Sequence, residues 1–391
     1  MADIIRSTYI KACEAAGVDT HPTVMAIITA KMETGEALEE FPLSGSQLSM
    51  FESRLGDADV AALCTALIDA QSEQPTRISR LDLSYNEMGD AGAEAVGKLL
   101  RAVPSLSWLS LAGNSIGVGG ARTLADTLGG DGYEGNLRHF NINGNPVNNE
   151  GGMHLARMLL SNRTLQVVDF GSTNLGTEAI IALATVLKTQ PFVEEINLDN
   201  PRLYSLEEET AQHIAHMLSI NASIRKISLR KHRIRDAGTK VIAERLQDNT
   251  TLTEIDLGCN EVGIGGGEAL AALLIHGSGL KTLRLASNRL SNEGADALGE
   301  ALRANSALRY LDVSRNTIGD AGLCAIAQGW SYGGMGLTTL KLWGNNFGEE
   351  SSALFHGLLS ANASVVTDFK PYLVDSAVHI AQVSTPRKLR T

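Results

Sequence analysis

Two segments contain residue types at the spacings that a nucleotide-binding site or a metal site would require. The glycine cluster GIGGG at residues 263–267 could cradle a dinucleotide pyrophosphate, because glycines let backbone N–H groups approach phosphate oxygens. His213 and His216 have a spacing that could hold zinc on a helix. However, the glycines occupy the same turn of a repeated motif as residues 117–120, and two histidines on a helix are usually surface or packing residues. We therefore predict no cofactor, no metal site and no catalytic site.

The remaining candidate function is binding of a partner, through basic and aromatic residues. Residues 224–236 (IRKISLRKHRIRD) form a basic band in an acidic chain, which would attract an acidic peptide or a phosphate. Alternatively, the band neutralises Glu194, Glu195 and Asp199 of the preceding copy. Exposed indole and phenol rings are typical interface anchors, unless they pack on neighbouring strand side chains. The candidate partner-binding residues are Trp108, Lys226, Arg230, Lys231, Arg284, Tyr310 and Trp343.

A repeat that runs through most of the chain positions these residues. Residues 78–100 read ISRLDLSYNEMGDAGAEAVGKLL, and this pattern recurs with a period of 28 residues and occasional insertions. Each copy, L-x-x-L-x-L-x-x-N-x-L, predicts a short strand, a turn where the asparagine side chain bonds backbone groups, and a returning helix. In the fourth copy that helix is predicted at residues 178–187. The asparagine positions are 86, 114, 145, 260, 288, 316 and 345, with Thr173, Pro201 and His232 as replacements.

Stacking such copies predicts an α/β solenoid. Strands lie about 4.8 Å apart whereas helices are roughly 10 Å wide, so the array must curve into an open horseshoe with a concave parallel sheet and convex helices. The leucines of each strand should point inward and the residues between them outward, onto the concave face. The predicted central outward positions are Asp82, Ser110, Asn141, Asp169, Asn197, Ser228, Asp256, Arg284, Asp312 and Lys341.

The ends of the chain depart from the repeat. We assign residues 1–40 to a helical N-terminal cap, with Gly17 ending its first helix and Pro22 starting the second. Residues 41–364 form the solenoid of about ten to eleven repeats, beginning with a degenerate copy around Leu48 that has Ser53 at the asparagine position. Residues 365–384 are predicted as a C-terminal cap of short strands covering the open sheet edge, and residues 385–391 as a flexible basic tail.

Composition narrows the function classes. The net charge of -11 over 391 residues argues against general binding to nucleic acid or to an anionic membrane. The four cysteines lie far apart without metal-ligand spacing, which favours a reducing compartment. No apolar run is long enough to span a membrane, and the N-terminus lacks the apolar core of a signal peptide. We expect a cytoplasmic protein.

The repeats, written LxxLxLxxNxIGxxGAxxLAxxL, resemble the ribonuclease-inhibitor-like class of leucine-rich repeats over residues 43–362. This class includes ribonuclease inhibitors, activators of the Ran GTPase, sensing arrays of innate immune receptors and scaffold proteins of motile cilia. Ribonuclease inhibitors are rich in cysteine, and Ran activators carry an acidic C-terminal tail, whereas this chain has four cysteines and ends in a basic segment. The segments YIKACEAAGVDTHPTV and FKPYLVDSAVHIAQV are similar to the caps of leucine-rich-repeat proteins associated with ciliary axonemes.

This resemblance implies a non-enzymatic protein–protein interaction scaffold, a structural component of a large assembly such as a motile-cilium axoneme. The implied partners are axonemal or radial-spoke proteins, and the implied location is the cytoplasm or the cilium. The alternative is a GTPase-activating protein resembling the Ran activator, and a weaker alternative is a protein inhibitor of an enzyme. The sequence specifies neither the individual partner, nor the surface that it contacts, nor the oligomeric state.

Overall fold

A computed structural model describes residues 1–50, 53–203, 209–333, 336–362, 364–375 and 377–383. The chain divides into two compact units, Met1–Tyr204 (unit 1) and Ser205–Thr391 (unit 2). The division falls in the segment 203–210, where the sequence inserts residues between two repeats. Part of that segment, and the predicted basic tail, lie outside the described residues.

Unit 1 begins with two helices and continues as alternating strands and helices. Its elements are α1 (Ala2–Ala16), α2 (Pro22–Thr34), β1 (Glu40–Pro42), a 3-10 turn (Leu48–Met50), α3 (Asp57–Glu73), β2 (Arg80–Asp82), α4 (Asp90–Ala102), β3 (Trp108–Ser110), α5 (Val118–Leu128), β4 (His139–Asn141), α6 (Asn148–Ser161), β5 (Val167–Asp169), α7 (Thr177–Leu187) and β6 (Glu195–Asn197).

Unit 2 repeats the same alternation and ends in a hairpin. Its elements are α8 (Glu209–Ile220), β7 (Lys226–Ser228), α9 (Arg235–Arg245), β8 (Glu254–Asp256), α10 (Ile264–Ile275), β9 (Thr282–Arg284), α11 (Ser291–Ala304), β10 (Tyr310–Asp312), α12 (Asp320–Tyr332), β11 (Thr339–Lys341), α13 (Glu349–Ala361), β12 (Val366–Thr367), β13 (Phe369–Val374) and β14 (Ala377–Gln382).

The α/β solenoid predicted from the repeat is confirmed within each unit. Strands β1 to β6 pair in parallel in unit 1, and β7 to β12 do so in unit 2. The central residue of each three-residue strand is buried and aligned with its neighbours, as Leu81, Leu109 and Phe140 illustrate. Successive helices pack against each other on one face of the strands, so the apolar core lies between the two layers.

Helix boundaries follow the local signals in the sequence. Gly17 ends α1 in the left-handed conformation, with φ of 66°. Pro22 is the first residue of α2, and the His21 ring nitrogen Nδ1 accepts a hydrogen bond from the Thr23 N–H at 3.2 Å. The helix of the fourth copy starts one residue earlier than predicted and buries Ile180, Leu183 and Leu187 as expected.

The first repeat lies upstream of its predicted position. Its strand is β1, where Phe41 pairs with Leu81, whereas Leu48 is 96% exposed and contributes nothing to the core. Phenylalanine in place of leucine, followed by Pro42, obscures the repeat pattern in the sequence, and the first strand therefore begins inside the segment that we assigned to the helical cap.

The C-terminal segment is also arranged differently from the prediction. Strands β13 and β14 form the expected hairpin, but it is a separate antiparallel sheet that packs on α13, while the short β12 pairs with β11. After β12, the Asp368 carboxylate accepts hydrogen bonds from the Leu342 and Trp343 N–H groups at 2.9 and 3.1 Å. In the preceding repeat a backbone carbonyl does this: the Val313 N–H donates to the Lys341 carbonyl.

The asparagine side chains tie adjacent repeats together, as predicted. Asn288 accepts hydrogen bonds from the Asn260 and Val262 N–H groups of the preceding repeat, at 2.9 and 3.0 Å. Its Nδ2 donates to the carbonyls of Leu257 and Leu285 at 3.0 and 2.9 Å. These bonds satisfy backbone groups that the turn would otherwise bury without partners.

A second set of contacts between repeats was not predicted. The Asp57 carboxylate at the start of α3 accepts from the Gly89 and Gly92 N–H groups at the start of α4, at 2.7 and 2.8 Å. Asp236 and Asp320 do the same for α10 and α13. Each of these carboxylates therefore caps the helix of the next repeat and complements its positive dipole end.

Candidate partner-binding surface

The third position of each strand is less accessible than the sequence suggested. Ser110, Asn197, Ser228, Asp256 and Asp312 were predicted to point outward onto the concave face, but they are buried. The acids and amides in this row accept a hydrogen bond from the N–H two residues on, as in Asp256 to Gly258 at 2.9 Å. These side chains therefore form turns that end the strands, and most of the row is structural.

Unit 1 carries a stack of three side chains on neighbouring strands. Arg80, Trp108 and His139 are aligned at the first position of β2, β3 and β4. The Arg80 guanidinium lies 3.5 Å from the Trp108 ring centroid, and the His139 ring stacks on the other face with centroids 5.0 Å apart. Trp108 is therefore half-buried and covered on both faces, and it contacts its strand neighbours as the alternative interpretation required.

The pKa of the histidine in this stack is lowered, which favours its neutral form. Burial lowers the pKa of the His139 imidazole; Arg80 lowers it further, while the charges of Asp169 and Glu195 act in the opposite direction. A neutral, stacked ring adds flat polarizable surface without adding charge. The repeat pattern placed His139 among the outward-facing positions but did not single it out for binding, and Arg80 was missed, although both stand one repeat from Trp108 in the aligned pattern.

Unit 2 brings together a second cluster, in which Tyr310 lies between two cations. The Arg284 guanidinium is 4.6 Å from the Tyr310 ring centroid, and the Lys341 ammonium is 5.7 Å from it. Arg284 also forms an ion pair with Glu254. Burial acts to lower the pKa of the Arg284 guanidinium, but the charges and hydrogen bonds of Glu254 and Tyr310 together outweigh it and raise that pKa. Of the predicted binding residues, the structure thus places Arg284 and Tyr310 together, and it adds Lys341.

The basic band lies at the start of unit 2 and divides into residues with different roles. Lys226 in β7 and Lys231 after it are exposed. Arg230 is half-buried, and its guanidinium lies 3.3 Å from Asp256, whose side chain is 5% exposed. A carboxylate at position 230 would therefore face a buried carboxylate, so Lys231 is the better position for testing the charge of the band.

Trp343 lies apart from these cations. It is half-buried two residues after β11, and its backbone N–H is held by Asp368. Among the described residues, no cation or second ring contacts its indole. It remains a candidate interface residue through its exposed fraction alone.

The segments that resembled catalytic or nucleotide motifs have structural roles. The Gly263 N–H, at the start of α10, already binds the Asp236 carboxylate, which occupies the place that a phosphate would need. Residues 113–117 (GNSIG) have the G-x-S-x-G spacing of a hydrolase nucleophile, which the sequence reasoning overlooked. Within them Asn114 is a repeat asparagine bonded to Leu83 and Leu111, and the described part of the chain shows no histidine bonded to Ser115.

One group of potential metal ligands also has a structural role, because its carboxylate is already hydrogen-bonded to backbone groups. Candidate ligand atoms of Asp320, Cys324 and Glu350 lie within 4.8 Å of one another. Asp320 caps α13, and its hydrogen bond from Ser351 is the main cause of the lowered pKa of its carboxyl. Burial, with the nearby charges of Asp320 and Glu350, raises the pKa of the Cys324 thiol to about 11. A protonated thiol beside a carboxylate engaged in capping is a poor metal site.

A cavity of about 230 Å³ near the end of unit 2 lacks the side chains of a catalytic or small-molecule site. It lies among α12, α13 and the segment before β12, and its lining contains no titratable side chain. Pockets that bind small molecules are usually about 300 to 1,000 Å³ and hold placed polar groups. In the described ranges, no helix is both long and apolar enough to cross a membrane.

Several known proteins are similar to the repeats of this chain. A family model described as "Leucine Rich repeat" matches residues 78–97, 136–156, 161–184, 248–271, 280–299 and 304–327. The ribonuclease inhibitor of Sus scrofa is 26% identical over 203 residues, which are 50% of this chain and 41% of the inhibitor. Leucine-rich repeat-containing protein 34 of Mus musculus is 37% identical over 70 residues, 18% of this chain and 17% of that protein.

Among solved structures, an internalin (inlF) from Listeria monocytogenes is similar over 94% of both chains, with 15% identity and a TM-score of 0.44. The chain matches less than half the length of the two curated relatives. Six segments of the chain are thus similar to leucine-rich repeats, and half of it is similar to ribonuclease inhibitors. These matches agree with the leucine-rich-repeat solenoid predicted from the repeat pattern.

Proposed function

We propose that this leucine-rich-repeat chain is a non-enzymatic scaffold that binds a protein partner on the strand layer of its repeats. The observation that carries the proposal is a pair of clusters in which neighbouring side chains hold an aromatic ring. In unit 1 Trp108 lies between Arg80 and His139, and in unit 2 Tyr310 lies near Arg284 and Lys341. Rings held in place before binding lose little conformational entropy on contact, and aromatic and arginine residues commonly dominate binding energy at interfaces.

The proposed assembly is a large one, such as the axoneme of a motile cilium, with axonemal or radial-spoke proteins as partners. This finer proposal rests on the similarity of the two end segments to the caps of axonemal leucine-rich-repeat proteins. The short match to leucine-rich repeat-containing protein 34 is compatible with it. Fractionation of isolated cilia with an antibody to the chain tests this location, and absence from the axonemal fraction would contradict it.

A matched pair of tyrosines tests the binding surface. Tyr310 is on the strand layer with Arg284 over its ring, whereas Tyr332 is on α12 with Arg303 5.4 Å from its ring centroid. We expect Tyr310→Ala to remove crosslinks to the partner in native extract, measured by quantitative crosslinking mass spectrometry. Tyr332→Ala should leave them unchanged. Loss of the same crosslinks in both variants, or in neither, would show that the strand layer is not the contact.

Two alternative functions remain distinguishable by direct assay. A GTPase activator would accelerate GTP hydrolysis when the purified chain is added to GTP-loaded small GTPases. An enzyme inhibitor, the function named for the Sus scrofa relative, would suppress ribonuclease activity in a titration. The scaffold proposal expects neither effect.

A further inference from the structure

We infer that the partner surface in unit 2 recognises an acidic segment of a protein, an inference that rests on the proposed function and specifies its ligand. Charge is distributed unevenly along the chain. Residues 1–204 contain 14 Lys and Arg against 25 Asp and Glu, so they carry the whole net charge of -11, whereas residues 205–391 contain 19 of each. Unit 2 is therefore neutral overall.

Within unit 2 the charges separate by layer. Helices α8 to α13 contain 4 Lys and Arg against 10 Asp and Glu. The described strands and loops between Ile220 and Glu349 contain 11 Lys and Arg against 5 Asp and Glu. The strand-and-loop layer of unit 2 is thus strongly basic, whereas the helices of unit 2 and the whole of unit 1 are acidic. Such a basic surface attracts anionic partners.

The carboxylates of this layer are mostly engaged, whereas many of its cations have no carboxylate partner among the described residues. Asp256 contacts Arg230, Glu254 contacts Arg284, Glu261 lies near Arg235 and Arg289, and Asp312 accepts from Ser314. By contrast, some cations have no carboxylate within 4.0 Å in the part of the chain that the structure describes. They are Lys231, Arg233, Lys281, Arg309, Arg315 and Lys341.

The spacing of these cations favours an extended acidic segment over a single anion. Lys231 and Arg315 occupy equivalent positions three repeats apart, after β7 and β10, which neighbouring strand pairs connect. With strands about 4.8 Å apart, the two repeats are separated by roughly 14 Å. A partner must therefore present carboxylates over several residues.

A protein segment fits this surface better than a nucleic acid. The engaged carboxylates lie between the cations, so a ligand with a charge at every unit would meet repulsion, while a peptide can place its acids selectively. The ring of Tyr310 already has cations over it, which leaves it less available to stack with bases.

Two double variants with the same charge change test the inference. Lys231→Glu with Arg315→Glu alters the strand-and-loop layer; Lys240→Glu with Arg245→Glu alters the exposed side of α9. The probe is a fluorescein-labelled peptide of alternating glutamate and glycine that spans the four strands, with a glutamine analogue and a labelled oligouridylate for comparison. Binding is measured by fluorescence anisotropy at low and physiological salt, after circular dichroism has verified that both variants fold.

We expect the wild type to bind the glutamate peptide and not its glutamine analogue, and salt to weaken the binding. The strand-layer variant should lose about tenfold or more in affinity, while the α9 variant should bind like the wild type. Absence of wild-type binding, equal losses in both variants, or equally tight binding of oligouridylate would overturn the inference. Because Tyr310→Ala tests the surface independently of partner charge, failure of the peptide assay alone leaves the proposed function standing.

Discussion

Replacement of a repeat asparagine should destabilise the chain more than the loss of one amide suggests. We choose Asn288→Ala, because this side chain is 4% exposed and bonds three backbone groups of the preceding repeat and one of its own. The Leu285 carbonyl retains a second donor, Asn316 Nδ2 at 2.8 Å. The Asn260 N–H, the Val262 N–H and the Leu257 carbonyl lose the bonds that Asn288 provides.

The expected magnitude follows from these three groups. A buried donor or acceptor left without its hydrogen bond costs about 1 to 3 kcal/mol, so the loss should be at least about 3 kcal/mol in the free energy of unfolding. Asn346→Ala is the matched control, since Asn346 is exposed and its side chain makes no hydrogen bond within the described residues. A surface change of that kind should stay within about 0.5 kcal/mol.

Urea unfolding followed by circular dichroism measures both variants. Because repeat arrays can lose structure locally, hydrogen exchange of the segment around residues 256–290 should accompany it. We expect faster exchange of the Asn260 and Val262 amides in Asn288→Ala and unchanged exchange in the control. Equal stability of the two variants would refute the view that the asparagine bonds hold adjacent repeats together.

Two further predictions concern the core and the end of the array. Leu283→Ala, at a fully buried position of β9, should cost roughly 2 to 5 kcal/mol in urea unfolding, and a near-neutral result would contradict its inward orientation. Burial raises the pKa of the Asp368 carboxyl above its ordinary value of 3.8, so the folded state binds this proton more tightly than the unfolded state does. The contribution of this proton to the free energy of unfolding is therefore lost as the pH rises through the folded pKa. Asp368→Asn should therefore gain stability relative to the wild type as pH increases from about 4 to 7, in unfolding titrations at each pH; a difference that is constant with pH would exclude the effect.

The features that the sequence predicted are those set by short-range patterns. The L-x-L strands, the repeat asparagines, the glycine that ends α1 and the helix of the fourth copy all depend on residue type and spacing within one copy. The repeat pattern also identified Arg284 and Tyr310 as outward-facing candidates. It did not predict their contact, because in the register Arg284 is aligned with Asp312 and Tyr310 with Thr282.

The features that were missed depend on contacts between copies. Nothing in one copy reveals that Asp57 caps the helix of the next, or that Arg80 and His139 cover both faces of Trp108. The alternation of leucines predicts which way a side chain points, but not that Asp256 turns back to its own backbone and becomes buried. The first strand escaped notice because Phe41 and Pro42 break the leucine pattern.

The carboxylate after β12 has a consequence for how the molecule avoids unwanted polymerisation. A sheet of parallel strands normally presents unpaired N–H groups at its last strand, which invite a strand from another molecule. The last strand, β12, is only two residues long, and the Leu342 and Trp343 N–H groups after β11 bond to the Asp368 carboxylate instead of to a strand. An incoming strand that paired with these groups would have to expel this half-buried carboxylate and leave it without its donors. One side chain thus blocks strand addition at the part of this edge that β12 does not cover.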